Sequence, residues 1–152
     1  MRNTKLVVTD VDGVLTPGTF LYDRDGKVMK EFGPHDADGL RLLRQRGVEV
    51  QAITADHRGL AITRARLEDM GIPLAVIGEN DREGWFGMCD AETTAYIGDG
   101  YYDVPLLRRA AVSFAPSDAC MPARMAAKIV LDTPGGRGVL LEVALRLGGA
   151  IL

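Results

Sequence analysis

Short runs of β-branched and apolar residues alternate along the chain with stretches whose apolar positions recur at helical spacing. Lys5-Leu-Val-Val-Thr9 opens the series as a strand. Residues 37–46 carry Leu40, Leu42 and Leu43 and run into Gly47, a helix with a glycine stop. Residues 48–53 read as a strand, 60–70 as a helix closed by Gly71 and Pro73, and 74–77 as a strand. A weak helix over 82–89, broken by Gly84 and Gly87, leads to a strand at 94–97. Helices at 104–110 and 122–128 then alternate with strands at 112–114 and 129–131, and a helix over 139–147 closes the series. One segment departs from this alternation. Residues 20–32 form two short extended pieces around Asp23-Arg24-Asp25-Gly26, a hairpin signal.

This order predicts an α/β fold: a Rossmann-like three-layer α/β/α arrangement with a mostly parallel central sheet and a hairpin flap after the first strand. With 152 residues, the expectation is one domain over 1–152 and no cap domain. The composition is that of a soluble globule, with 47% hydrophobic and 26% charged residues. A net charge of −3 argues against a nucleic-acid partner. No apolar run reaches membrane-spanning length and no signal-peptide pattern opens the chain, so a cytoplasmic protein is expected. Cys89 and Cys120 lack metal-site spacing and read as reduced thiols.

Open parallel sheets bind ligands beyond the carboxyl ends of their strands. Four such ends carry chemistry: Asp10-Val-Asp12-Gly13, Thr54, Asn80-Asp81-Arg82, and Gly98-Asp99-Gly-Tyr-Tyr-Asp103. Two carboxylates as close as Asp10 and Asp12 repel, so one should be ionised and the other more easily protonated. An ionised carboxylate can attack phosphorus, and its neighbour can protonate the leaving oxygen and then activate water. Asp99 and Asp103 add negative charge that a hard cation would relieve, and oxygen-only ligands suit Mg²⁺. Thr54 and Arg82 offer a hydroxyl and a guanidinium fork to phosphoryl oxygens. A small phosphorylated substrate is therefore the expected partner.

Together, Asp10-Val-Asp12-Gly-Val-Leu-Thr16, Ile53-Thr54, Arg82 and Tyr96-Ile-Gly-Asp99-Gly-Tyr-Tyr-Asp103 resemble the four motifs of the haloacid dehalogenase superfamily phosphatases. Within that superfamily the chain looks most like the small 3-deoxy-D-manno-octulosonate 8-phosphate phosphatases. The finer likeness rests on the hairpin, on Phe32 with His35-Asp-Ala-Asp-Gly-Leu40, on Gly135-Gly-Arg137-Gly-Val139, and on length. The resemblance implies that Asp10 is the nucleophile and Asp12 the acid/base. It also implies Mg²⁺ held by Asp10, the Asp12 backbone carbonyl and Asp99, with Asp103 in support. It implies a phosphorylated sugar acid as substrate, and a homotetramer whose neighbouring subunits cover the active site in place of a cap. Arg58, Arg66, Arg137 and His35 are candidate substrate-binding residues. Two departures stand out: Ala55-Asp56-His57-Arg58 where many relatives carry Gly-Arg, and Arg82 where the cation is commonly Lys. These leave a second reading, a domain of the same fold with weakened catalysis that serves as an oligomerisation or binding module.

Overall fold

A computed structural model describes residues 3–150. Six strands form one parallel sheet in the order β5-β4-β1-β6-β7-β8. They are β1 (Leu6–Asp10), β4 (Glu49–Thr54), β5 (Leu74–Val76), β6 (Thr94–Ile97), β7 (Val112–Ala115) and β8 (Ile129–Val130). The helices are α1 (His35–Gln45), α2 (Leu60–Met70), α3 (Arg82–Phe86), α4 (Val104–Arg109), α5 (Met121–Ala126) and α6 (Val139–Leu147). The hairpin of β2 (Leu21–Asp23) and β3 (Gly26–Met29) turns between Asp23 and Gly26, as its sequence predicts. Among the described residues it is the one addition to the sheet-and-helix frame, and no separate cap is present.

Strand alternation distributes the core between two faces. Val7 of β1, Val50 and Ala52 of β4, and Ala95 and Ile97 of β6 pack with Leu40 and Leu43 of α1, Leu67 of α2 and Val143 of α6. Val8, Ile53 and Tyr96 face the other way, onto Phe86 of α3, Leu106 and Leu107 of α4, and Ala123 of α5. The result is the three-layer α/β/α frame. On the first face α1 and α6 approach closely: a Cβ on Gly39 would lie 2.3 Å from the backbone of Leu140. The chain runs from β1 outward to β4 and β5, then returns past β1 to β6, β7 and β8. That reversal opens a crevice beyond the carboxyl end of β1.

Asp36 ties the same two helices together. Its buried Oδ1 accepts the backbone N–H of Leu140, in the first turn of α6, at 2.9 Å. Burial pushes this carboxyl up to about 6, although the Leu140 N–H, Arg66 and His35 favour the anion. A carboxyl whose folded pKa lies above its unfolded value of 3.8 loses stability as pH rises, because the unfolded chain gives up its proton first. The loss falls between about pH 4 and pH 6. Asp36→Asn keeps the acceptor and removes the charge. Urea denaturation should show it at least as stable as wild type at pH 8, with its relative advantage shrinking by pH 4.5. Asp36→Ala strands the Leu140 N–H and should cost about 1–3 kcal/mol. An Asn variant less stable than wild type at pH 8 would contradict this account.

Candidate active site

Asp10 ends β1 and is buried, 7% exposed. Its Oδ1 accepts the Val11 N–H at 2.8 Å and Arg82 Nη2 at 3.2 Å. The chain then turns at Gly13, whose φ of +87° suits glycine. A Cβ there would lie 1.8 Å from Asp99 Oδ2, so only a glycine lets the loop after β6 approach the loop after β1. Asp99 and Asp103 follow β6. Asp103 Oδ2 accepts the N–H groups of Asp99 and Gly100, at 3.1 and 3.0 Å. Its Oδ1 accepts the Tyr96 hydroxyl and Arg82 Nη1, each at 2.5 Å. Arg82, at the start of α3, thus bridges Asp10 and Asp103 with the two prongs of its fork.

Carboxylate oxygens of Asp10, Asp99 and Asp103 all lie within 4.8 Å of one another. Burial, with Asp103 beside it, raises the Asp10 pKa well above the ordinary carboxylate value despite Arg82. Burial and Asp103 push Asp99 up to about 6. Burial works against the Arg82 cation, but Asp10 and Asp103 more than compensate and hold it firmly charged.

The hairpin supplies two cations that spacing along the chain did not announce. Lys27 and Lys30 both reach Asp56 Oδ2 at 2.7 Å, and Lys30 also reaches Asp12 Oδ2 at 2.9 Å. Burial opposes the Asp56 anion, yet the bonds from Lys27 and Lys30 hold its carboxyl down at about 2. Lys27 also stacks over the Phe20 ring, 3.6 Å from its centroid. The nearest sequence signal is Asp56 itself, an acid just after Thr54 at a strand end already rich in carboxylates, where a cation is needed opposite.

Asp10, Asp12, Thr54, Arg82 and Asp103 line one cavity of about 400 Å³, together with Phe20, Lys27, Asp56, Tyr101 and Tyr102. Thr54 is buried, and its Oγ1 accepts the Asp56 N–H at 3.1 Å. The other substrate-binding candidates are not brought there within one chain. Arg58 is exposed in the loop after β4. Arg66, on α2, donates Nη2 to the Gly33 carbonyl at 3.2 Å and lines a separate hollow with Phe32 and Pro34. His35 and Arg137 share a third hollow, between α1 and α6.

Five carboxylates, Asp10, Asp12, Asp56, Asp99 and Asp103, thus face three cations, Arg82, Lys27 and Lys30. The surplus of carboxylates over cations and the all-oxygen donor set fit Mg²⁺, whose charge would favour the ionised acids.

A protein of Haemophilus influenzae named 3-deoxy-D-manno-octulosonate 8-phosphate phosphatase KdsC is 37% identical over 150 residues, 95% of this chain and 82% of the relative. The chain belongs to this phosphatase family. The Yersinia pestis KdsC phosphatase is 31% identical over 93% of this chain and 78% of its own. The cobalt-bound H. influenzae phosphatase structure superposes with a TM-score of 0.84 at 34% identity, covering 98% of this chain and 90% of that one. The 3-deoxy-D-manno-octulosonate 8-phosphate phosphatase of Moraxella catarrhalis, solved with magnesium, phosphate and KDO, gives a TM-score of 0.84 at 27% identity over 98% of this chain and 88% of that one. No family model matches the chain.

Proposed function

We propose that this chain is a Mg²⁺-dependent phosphomonoester hydrolase that forms an aspartyl-phosphate on Asp10. Its substrate is a phosphorylated sugar acid such as 3-deoxy-D-manno-octulosonate 8-phosphate. The observation that carries the reading is a buried Asp10 in a cluster where carboxylates outnumber cations, in a chain of this family. Mg²⁺, held by Asp10, the Asp12 backbone carbonyl and Asp99 with Asp103 in support, would neutralise phosphoryl charge.

Asp10 Oδ1 is held by Val11 and Arg82, which fixes the carboxylate that attacks phosphorus. The new P–O bond forms as the bond to the sugar oxygen breaks, and Asp12 donates its proton to that oxygen. A water then attacks the phosphorus while Asp12 takes its proton, and the bond to Asp10 breaks to release phosphate. Thr54 and Arg82 hold phosphoryl oxygens. The Arg82 Nε is buried with no acceptor among the described residues, and a phosphoryl oxygen would supply one. Asp56, which with His57 and the Arg82 replacement left a reading of weakened catalysis open, is paired with Lys27 and Lys30, which removes that one ground for a non-catalytic module.

Leu21, Tyr22 and Met29 of the hairpin are each more than half exposed. We read them as covered by neighbouring copies in a homotetramer that also shields the cavity from water. No helix among the described residues is long and apolar enough to cross a membrane. A cytoplasmic location accords with that and with the free thiols of Cys89 and Cys120.

The test is phosphate release from 3-deoxy-D-manno-octulosonate 8-phosphate and a panel of sugar-acid phosphates, with Mg²⁺ and with chelator. Release is expected only with Mg²⁺. No release from any of them in Mg²⁺ would sink the reading. Sedimentation of the same samples should show tetramers, and a fully active monomer would overturn the shared cover.

A further inference from the structure

Lys30 follows β3 at the foot of the hairpin, and its side chain is fully buried. Its ammonium meets three oxygens: Asp12 Oδ2 at 2.9 Å, Asp56 Oδ2 at 2.7 Å and Thr63 Oγ1 at 2.8 Å. An ammonium has three N–H donors, so these contacts use all of them. A charge so far removed from water is stable only with its partners held in place. The three oxygens come from the turn after β1, the loop after β4, and α2. Lys30 therefore pins the hairpin to the two loops that build the cavity.

The consequence falls on Asp12. Its Oδ2 is tied to Lys30, whereas its Oδ1 has one long contact, 3.5 Å, from the Thr16 hydroxyl. One oxygen is anchored and the other remains for a ligand in the cavity that Asp12 lines. We infer that Lys30 is a positioning residue for proton transfer, holding Asp12 so that Oδ1 meets the departing oxygen. This inference rests on the phosphatase reading above. Lys30 gives no proton to the substrate. It fixes the rotamer of the group that does, and it makes a docked hairpin a condition of acid catalysis as well as a wall of the cavity.

The experiment compares kcat/KM of wild type and Lys30→Met on two esters, the sugar-acid phosphate and p-nitrophenyl phosphate. This ratio covers the steps through departure of the alcohol. A nitrophenolate departs without a proton, whereas a sugar alkoxide needs one. Lys30→Met should lose about a hundredfold on the sugar ester and less than about threefold on the nitrophenyl ester. A merely structural role would lower Tm and reduce both ratios alike. Equal losses, or none, overturn the assignment. Where Lys30→Met does not fold, Thr63→Val decides, since it retains the lysine and both carboxylates. A severalfold loss confined to the sugar ester supports the assignment, and an equal loss or no change overturns it. Wild-type turnover of the two esters reports on the phosphatase reading separately. A wild type inert to both sinks that reading and this inference together.

Discussion

Asp10→Asn is expected to lower phosphate release by at least about a thousandfold while leaving the protein as stable as wild type, or more so. The amide is the same shape, and its oxygen can still accept the Val11 N–H that holds Asp10 Oδ1 at 2.8 Å. It carries no charge and cannot form an acyl phosphate by displacement, so the covalent route closes. The effect on stability runs the opposite way. Asp10 is buried beside Asp99 and Asp103, and that setting raises its pKa, which means the folded protein disfavours its anion. Removing the charge relieves this repulsion, while Arg82 keeps Asp103 as a partner at 2.5 Å. A phosphate-release assay and a thermal melt on the same preparation check both halves. Added Mg²⁺ should raise the wild-type Tm by binding the folded state, and should raise the variant's Tm less. A variant that keeps a tenth of wild-type turnover would remove Asp10 from the role of nucleophile.

The frame was legible because each element has a local cause. Hydrophobic period separated strands from helices, Asp23 and Gly26 marked the hairpin turn, and the polar groups at strand ends converge because the sheet is parallel. What stayed hidden depends on contacts between distant segments. Lys27 and Asp56 are 29 positions apart, and Lys30 and Asp12 are 18 apart. On a short hairpin two lysines read as solvated charge until the hairpin folds over the strand ends. The family resemblance implies Asp103 as support for a metal. The structure adds four donors on its two oxygens, so it also anchors the loop and orients Arg82. The weak helix expected over residues 82–89 is cut short for a local reason. Helix α3 stops at Phe86 before Gly87, which buries Phe86 and leaves Met88 79% exposed.

Arg82→Ala should destabilise the protein by about 3–5 kcal/mol, the usual consequence of removing one member of a buried ionic cluster. For a chain of this size that corresponds to a fall in Tm of roughly 10 °C. Arg82 is 6% exposed, and its guanidinium spans Asp10 Oδ1 at 3.2 Å and Asp103 Oδ1 at 2.5 Å. Without it, both carboxylates remain buried among Asp99 and each other, with no cation on that side. Turnover should fall as well, because Arg82 lines the cavity in which the proposed reaction holds the phosphoryl group. Arg82→Lys separates the two contributions. An ammonium retains the charge but is a single point, and it cannot reproduce the planar fork that meets two carboxylates at once. It should recover most of the stability and keep turnover within about tenfold of wild type. Denaturant titration and steady-state kinetics of the two variants side by side check the ordering: wild type first, Lys second, Ala last in both properties. If Arg82→Ala melts with wild type and turns over at its rate, the guanidinium bridge is neither a structural tie nor a phosphate ligand. The excess of negative charge around Asp10 would then have to be met by the bound cation alone.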